Sequence, residues 1–527
     1  MYADEVSPGN ILKVENHRKM YAFYVAVKQL GPLVLKHESC WLPLAVLRTT
    51  ELKKIKGGVG AALVVLLERM FVVEKIKEHD GGVMVDIGAA GGFARLFFRF
   101  SNLLGDGDAL RALLWCKGAS GKLPCLCCKN IVRGDCAAST YLQPVSCIEP
   151  ALFDLATDAE VFGKADILAE AFDHLGAAQF DELSTAMGIS HNPHGLLMAK
   201  HLRPYAPPVS ILTYDSMHTL LTGGLAQNEV GLLMDDLARH GIPWGEVGNF
   251  VTTGWHICCC SGHASTLKGM FSEARRKASK GGPFKCMASE MLLAMPILLH
   301  FLLSRDGLSE QLHHKVESFA NLHNLVDLCK RAKGGGGQAL SARLADAVKA
   351  HAQAFAIAYP DFPIKAKNHW AFHLPGQVER DGVLLDCFTG ERKNQTIKQA
   401  ANKMKNPRVF EKSVMVAVLA AQLSKLSEPD HLCDALKHPA PAPELAALLG
   451  FDMAAQAKAM TWRGTPLHSG DMLLINGQYQ LAQAFALTGD GSYLLLGQAY
   501  RKLRQVVRVV YFSCVEFDNI KFYTREI

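Results

Sequence analysis

Leu103-Leu-Gly-Asp106-Gly-Asp108-Ala-Leu-Arg-Ala-Leu-Leu-Trp115 combines three structural signals. A short apolar run ends on an acid, glycine follows, and leucines then recur at helical spacing. Asp106 reads as the end of a strand. Asp108 reads as the start of a helix, where a carboxylate suits the dipole. Two other stretches put an acid where a strand gives way to a turn or helix: Ile211-Leu-Thr-Tyr-Asp215-Ser-Met-His218 and Asp386-Cys-Phe-Thr-Gly-Glu391-Arg-Lys. Carboxylates suit Mg²⁺, and two-metal phosphoryl chemistry needs several of them to converge. Each acid alone is equally an ordinary cap or turn residue, since Asp favours both.

The surrounding chain is globular by composition. Its 527 residues are 49% hydrophobic and 20% charged, which excludes a disordered class. The net charge of +6 permits nucleic acid without demanding it. No run reaches the ~18 apolar residues of a membrane span, so no membrane partner is expected. The first twenty residues carry Asp4, Glu5 and Lys13 and no apolar core, so no secretory signal is expected. Fifteen cysteines without such a signal suggest reduced thiols in the nucleus or cytosol and a metal site.

Periodicity divides the chain into an α+β region (1–80), a first core part (81–224) with a Cys-rich loop (117–148), a helical segment (225–359), a last core part (360–436), a linker and helix (437–459) and a small all-β tail of barrel type (460–527). Val83-Met-Val-Asp86 reads as a buried strand, Lys365 to His373 as strand-like, and Glu391 to Leu426 as one long helix. Roughly 110 residues separate Asp106 from Asp215 and roughly 175 separate Asp215 from Glu391; the second gap is too long for one crossover in a compact sheet. Helical text fills it.

The three acidic blocks, taken in order, resemble the catalytic region of CACTA (En/Spm-type) transposases. The first block is Gly105 to Trp115 with Lys117-Gly-Ala-Ser-Gly-Lys-Leu-Pro-Cys-Leu-Cys-Cys-Lys-Asn130. The second is Leu212-Thr-Tyr-Asp-Ser-Met-His218. The third is Lys367-Asn-His-Trp-Ala-Phe-His373 with Gly382 and Phe388-Thr-Gly-Glu-Arg392. Kyakuja-Dileera-Zisupton and Plavaka transposases share this plan. The resemblance covers roughly residues 80–430. It implies an α/β fold: an RNase H-like mixed sheet with a large helical insertion. It further implies Mg²⁺- or Mn²⁺-dependent DNA strand cleavage and transfer, terminal-repeat DNA as partner, and a nuclear location, and it leaves a homo-oligomer open. Carried over, Asp106, Asp215 and Glu391 become the catalytic metal ligands, with Asp108, His218, His369 and His373 as secondary candidates. Thr389-Gly390 stands where that family often has Pro-Phe.

Cys125-Leu-Cys-Cys128 offers the C-x₂-C spacing from which two thiolates can bind one Zn²⁺; idle buried cysteines are the alternative. The resemblance favours zinc, with Cys136, His218 or a third-block histidine as further ligands. His369 and His373, four apart, share a face on either a helix or a strand. His256-Ile-Cys-Cys-Cys260-Ser-Gly-His263 reads as small residues at a helix start. Arg392, Lys393, Lys398, Lys403 and Lys405 follow the last acid and are the best candidates for DNA contact, with a solvated helix face as the alternative. Val85-Asp-Ile-Gly-Ala-Ala-Gly-Gly-Phe93 resembles the first motif of S-adenosylmethionine-dependent methyltransferases and keeps that activity as an alternative. A non-catalytic DNA- or chromatin-binding protein of transposon origin is the other.

Overall fold

A computed structural model describes the chain except residues 9–17, 78–80, 87–91, 135–138, 251–263, 280, 306–307, 405, 407, 428–434, 450–451, 463–464, 470–471, 476–477, 489–492 and 501–527. It is a mixed α/β protein with several small sheets. One compact unit comprises Met1–Leu225 and Leu328–Leu423, and a second comprises Ala226–Asp327 and Ser424–Ile527.

The first unit is built on a five-stranded sheet. Its strands are β1 (Tyr2–Val6), β2 (Met20–Val25), β3 (Leu42–Arg48), β4 (Leu103–Gly105) and β5 (Leu212–Tyr214). Their spatial order is 3-2-1-4-5. β2 lies antiparallel between β1 and β3, while β1, β4 and β5 run parallel. Aromatic and apolar residues dominate β2, as suits a pleated, packed surface. The β2–β3 register shifts at Leu44 of β3, a bulge opposite Phe23 and Tyr24, and those two consecutive residues are both buried because both faces of β2 are covered. β4 and β5 are buried at every position, as expected where a parallel sheet is covered on both faces.

Short helices follow the parallel strands. α1 (Gly107–Leu114) follows β4, and its Ala109, Leu110, Leu113 and Leu114 are buried, the period read from the sequence. α2 (Ser216–Leu220) follows β5. Further along come α3 (Ala366–Ala371), α4 (Leu374–Asp381), α5 (Phe388–Lys403) and α6 (Phe410–Leu426). Two expectations fail here. Residues 365–373 are helical and not strand-like, because an extended reading would separate the buried His369, Trp370 and Ala371 onto two faces. Glu391 to Leu426 is two helices, the first capped at Met404 in an extended conformation.

α4 is anchored to the sheet by charge. Asp381 Oδ1 receives Lys28 Nζ at 2.6 Å, and its Oδ2 receives Arg380 and the Asn102 amide, both at 2.8 Å. Arg380 also donates to the carbonyls of Ser210 and Leu212. Gln377, with its amide oriented to satisfy both groups, pairs with the Tyr214 N–H and C=O at 3.0 Å and covers the outer edge of β5.

Val83–Asp86 is not the expected buried strand. It forms an antiparallel hairpin with Phe93–Leu96, and Val83, Met84, Phe93 and Leu96 are exposed. The dinucleotide-type reading needs a parallel strand leading into a helix. The glycines 88 and 91 of that stretch lie outside the described residues.

The second unit has helices from Leu225–Arg239 to Glu310–Ala332 in its first segment. Within it Trp244 stacks on Phe284, and buried Glu229 accepts from the Ser318 hydroxyl at 2.7 Å. The later segment corrects the sequence reading in two ways. β structure begins at Ala435, and Ala440–Pro441 is a strand where a linker was expected, ahead of the helix Pro443–Leu449 that falls inside the expected linker and helix. The described strands form a three-stranded sheet (Ala435–Lys437, Ala459–Trp462, Thr465–His468) and a second sheet centred on Gln478–Thr488, not a barrel. Residues 501–527 of the expected β tail and the Cys258–Cys260 stretch fall outside the described residues. No described helix is long and apolar enough to cross a membrane.

The residue just before Glu391 is a close-approach glycine. A Cβ on Gly390 would stand 2.0 Å from Cε1 of Tyr2, so α5 reaches β1 only because that position has no side chain. Gly390→Ala is expected to destabilise the fold by about 1–3 kcal/mol through overpacking. Gly376→Ala, with nothing within 4 Å of the added carbon, is expected to be neutral or stabilising by up to about 1 kcal/mol. Urea denaturation of both variants measures the contrast.

Candidate metal centres and acid hollow

Register carries the acids to one place. Tyr2 pairs with Leu104, and Leu104 pairs with Thr213, across three adjacent parallel strands. Two positions beyond that row stand Asp4, Asp106 and Asp215. An even offset returns the side chain to the same face, and Asp106 and Asp215 keep extended backbones. Sequence reasoning missed Asp4. Its signal is faint: one of two adjacent acids, Asp4 and Glu5, in the strand Tyr2-Ala-Asp-Glu-Val6.

Both later acids are helix caps, the alternative that the sequence left open for each. Asp106 caps α1, with Oδ1 accepting from Ala109 N at 2.6 Å. Asp215 caps α2 and is buried. Its Oδ1 accepts from Met217 N at 3.0 Å and Cys387 N at 2.8 Å. Its Oδ2 accepts from His218 N at 2.8 Å and His218 Nδ1 at 2.5 Å. A carboxylate has about four lone-pair sites, so protein donors occupy all of those on Asp215. With His218 and Cys387, Asp215 also forms one of the groups of donor atoms described below that could hold a metal ion.

His218 spans the gap to the last acid. Its Nε2 lies 3.5 Å from Glu391 Oε1 on α5. Asp4 sits against the same group: its Oδ2 accepts from Tyr2 Oη at 2.7 Å and from Asn394 Nδ2 at 2.8 Å. Asp106, Asp215, His218, Lys367 and Trp370 line one hollow. Asp108 is excluded from it, being largely exposed and paired with Arg111.

The electrostatics describe a place short of positive charge. Burial pushes the Asp4 carboxyl above its usual range, and the nearby Asp106 charge adds to this. Burial likewise raises Glu391, with Asp4 and Asp215 adding and His218 opposing. For His218, burial alone would lower the imidazole, but Asp215, Asp106 and Glu391 together hold it above its ordinary value. For Asp215, burial alone would raise the carboxyl; the His218 ring and the backbone N–H groups overcome that and hold it low. Carboxylates that raise one another and keep an imidazole charged are the pattern a bound cation would relieve.

Two groups among the described residues have all their donor atoms within 4.8 Å of one another: Cys125, Cys128, His369 and His373; and Asp215, His218 and Cys387. Asp106, Asp215 and Glu391 are not such a set; they converge through His218. The first group unites the C-x₂-C pair with both third-block histidines. His373 Nε2 is 3.2 Å from Cys125 Sγ, 3.6 Å from Cys128 Sγ and 3.1 Å from His369 Nε2. Burial alone would raise the Cys125 thiol, but the Cys127 and Cys128 thiols and His373 overcome it and hold it low. Burial keeps His369 below its ordinary value, the neutral form in which imidazole binds metal. Either group could hold a metal ion. Cys136 lies outside the described residues.

The basic run divides. Lys393 is buried, donating to Gln422 Oε1 at 2.9 Å, and so does not face a ligand. Arg392 and Lys403 are exposed, Lys398 is half-buried near Glu391, and Lys405 lies outside the described residues. Arg392 also donates to the Lys36 carbonyl at 3.0 Å. No protein-family model matches this chain, and no curated protein matches it.

Lys393 therefore belongs to the core. Lys393→Ala is expected to cost about 1–3 kcal/mol by leaving the Gln422 oxygen unpaired, whereas Lys403→Ala is expected to stay within about 0.5 kcal/mol of wild type. Chemical denaturation distinguishes the two.

Proposed function

We propose that the chain is a transposase-derived protein whose first unit is an RNase H-like, metal-dependent DNA strand-cleavage domain. The observation that carries this reading is the row of Asp4 and Asp106 at matched positions of neighbouring parallel strands, with Glu391 brought beside them on α5. The 3-2-1-4-5 order, with only β2 reversed, suits that fold. The order of the acidic blocks supports the CACTA-like resemblance.

On this reading Asp4, Asp106 and Glu391 hold Mg²⁺ or Mn²⁺, hard cations that take oxygen ligands. When bound, such ions activate a water or 3′-hydroxyl nucleophile and stabilise the leaving oxygen of a phosphodiester. Asp215 is a positioning residue. It fixes the His218 ring through Nδ1 and ties the turn at Cys387 to the end of β5. His218 then orients the Glu391 carboxylate from its other nitrogen. Lys367, beside Asp106 in the hollow, supplies a cation toward a phosphate. The Cys₂His₂ group suits Zn²⁺: four N/S donors in tetrahedral array stand about 3.3–3.8 Å apart, close to the separations found here. The partner is then DNA at element ends, the compartment the nucleus, and Arg392, Lys398 and Lys403 the nearest candidates for backbone contact.

The test is nicking of supercoiled plasmid and of terminal-repeat duplexes in Mg²⁺ or Mn²⁺. Asp4→Asn, Asp106→Asn and Glu391→Gln are each expected to lower cleavage about a hundredfold or more, with folding retained. Asp108→Asn is expected to leave it unchanged. Equal cleavage by wild type and the three variants would remove these acids from the chemistry. Absence of divalent-dependent cleavage by the folded wild type would leave the non-catalytic DNA-binding relative as the reading.

A further inference from the structure

The Cys₂His₂ centre and the acid hollow lie on opposite sides of one short helix. α3 is 6 residues long, and its N-cap makes no side-chain hydrogen bond with a hydroxyl or carboxylate. A helix of this length does not hold itself in water. What its side chains bind sets its position. His369, within α3, and His373, just beyond it, turn their Nε2 atoms to Cys125 and Cys128. Among the described residues the buried Nδ1 of His369 has no hydrogen-bond partner, and the rings of Phe153 and His373 meet the His369 ring edge-on. Lys367 and Trp370 serve the other side. Both line the hollow with Asp106 and Asp215. Lys367 Nζ is steadied by the Thr222 carbonyl at 3.1 Å, and the Trp370 ring packs where a Cβ on Gly107 would sit, one residue past Asp106.

A second connection runs through the end of β5. The Tyr214 hydroxyl is 3.3 Å from Cys125 Sγ, and the Tyr214 ring stacks on Trp370 with centroids 5.0 Å apart. Tyr214 immediately precedes Asp215. The indole N–H of Trp370 donates to the Pro124 carbonyl at 3.1 Å, beside the first thiol. The two sulfurs and the two Nε2 atoms thus face one another in a largely buried space, the arrangement in which a cation can take all four as ligands.

We propose that zinc bound by Cys125, Cys128, His369 and His373 acts as a clamp that holds Lys367 and Trp370 in the acid hollow, so that strand cleavage requires zinc loading although zinc touches no substrate. The zinc clamp acts only by position. Lys367, a positioning group for the phosphate, is its output; this last step rests on the nuclease reading above.

The test uses the full chain, with zinc content measured by mass spectrometry, zinc removed by 1,10-phenanthroline in the presence of Mg²⁺, and two readouts. One is the Trp370 contribution to fluorescence, defined by difference from Trp370→Phe. The other is plasmid nicking. About one zinc per chain at this centre is expected, lost in Cys128→Ser. Zinc removal is expected to shift the Trp370 emission and lower nicking at least tenfold, both restored by added zinc. Lys367→Ala is expected to lower nicking while zinc and Trp370 emission stay as in wild type. A protein that neither carries nor takes up zinc, or whose zinc leaves without altering Trp370 emission, overturns the clamp. Emission that follows zinc in a protein that never nicks DNA upholds the link between centre and hollow and overturns the nuclease reading instead.

Discussion

Parallel pairing of β1, β4 and β5 fixes a common register, and the rest of the acid hollow depends on it. Once Tyr2, Leu104 and Thr213 are aligned, the residues two further on are aligned as well. A slip of one residue on β4 would turn Asp106 to the opposite face. The register is protected because β4 and β5 are buried at every position and because Gln377 and Arg380 cap the free edge of β5. Gly390 completes the arrangement by letting α5 close onto Tyr2 and bring Glu391 to the row.

Gathering acids in this way has an electrostatic cost, and the surrounding residues divide it. Asp215 is met locally by four donors, two of them from His218. Asp4 and Glu391 are left partly buried with like charges for neighbours, and both are pushed toward protonation. One imidazole and the Lys367 ammonium are the cations given in the hollow. In the proposed function divalent ions make up the balance. The second group differs in its donors: two cysteine sulfurs and two imidazoles, a softer set than the carboxylates of the hollow.

Much of this was legible from local pattern. The strand–acid–helix reading of 103–115 holds in outline, but the strand ends at Gly105, the helix begins at Gly107, and Asp106 is its cap, not the last residue of the strand. The C-x₂-C pair and the two histidines four apart were each visible, but nothing local says they share a site 240-odd residues apart; only the fold brings them together. Asp4 was missed because an acid in a short strand carries no periodic signal, and its meaning comes from its neighbours in the sheet. Lys393 was misread because a helix face rich in lysine looks solvated in sequence, while here one of those lysines finds a buried amide. The tail was read as a barrel because strand spacing reports strands and turns, not closure.

The most direct test of the acid row is anomalous diffraction from crystals soaked in Mn²⁺. The account predicts a Mn²⁺ peak bounded by the carboxylates of Asp4, Asp106 and Glu391, with His218 keeping its contact to Asp215. Manganese found only elsewhere, or carboxylates of Asp4 and Asp106 turned to different faces of the sheet, would contradict it.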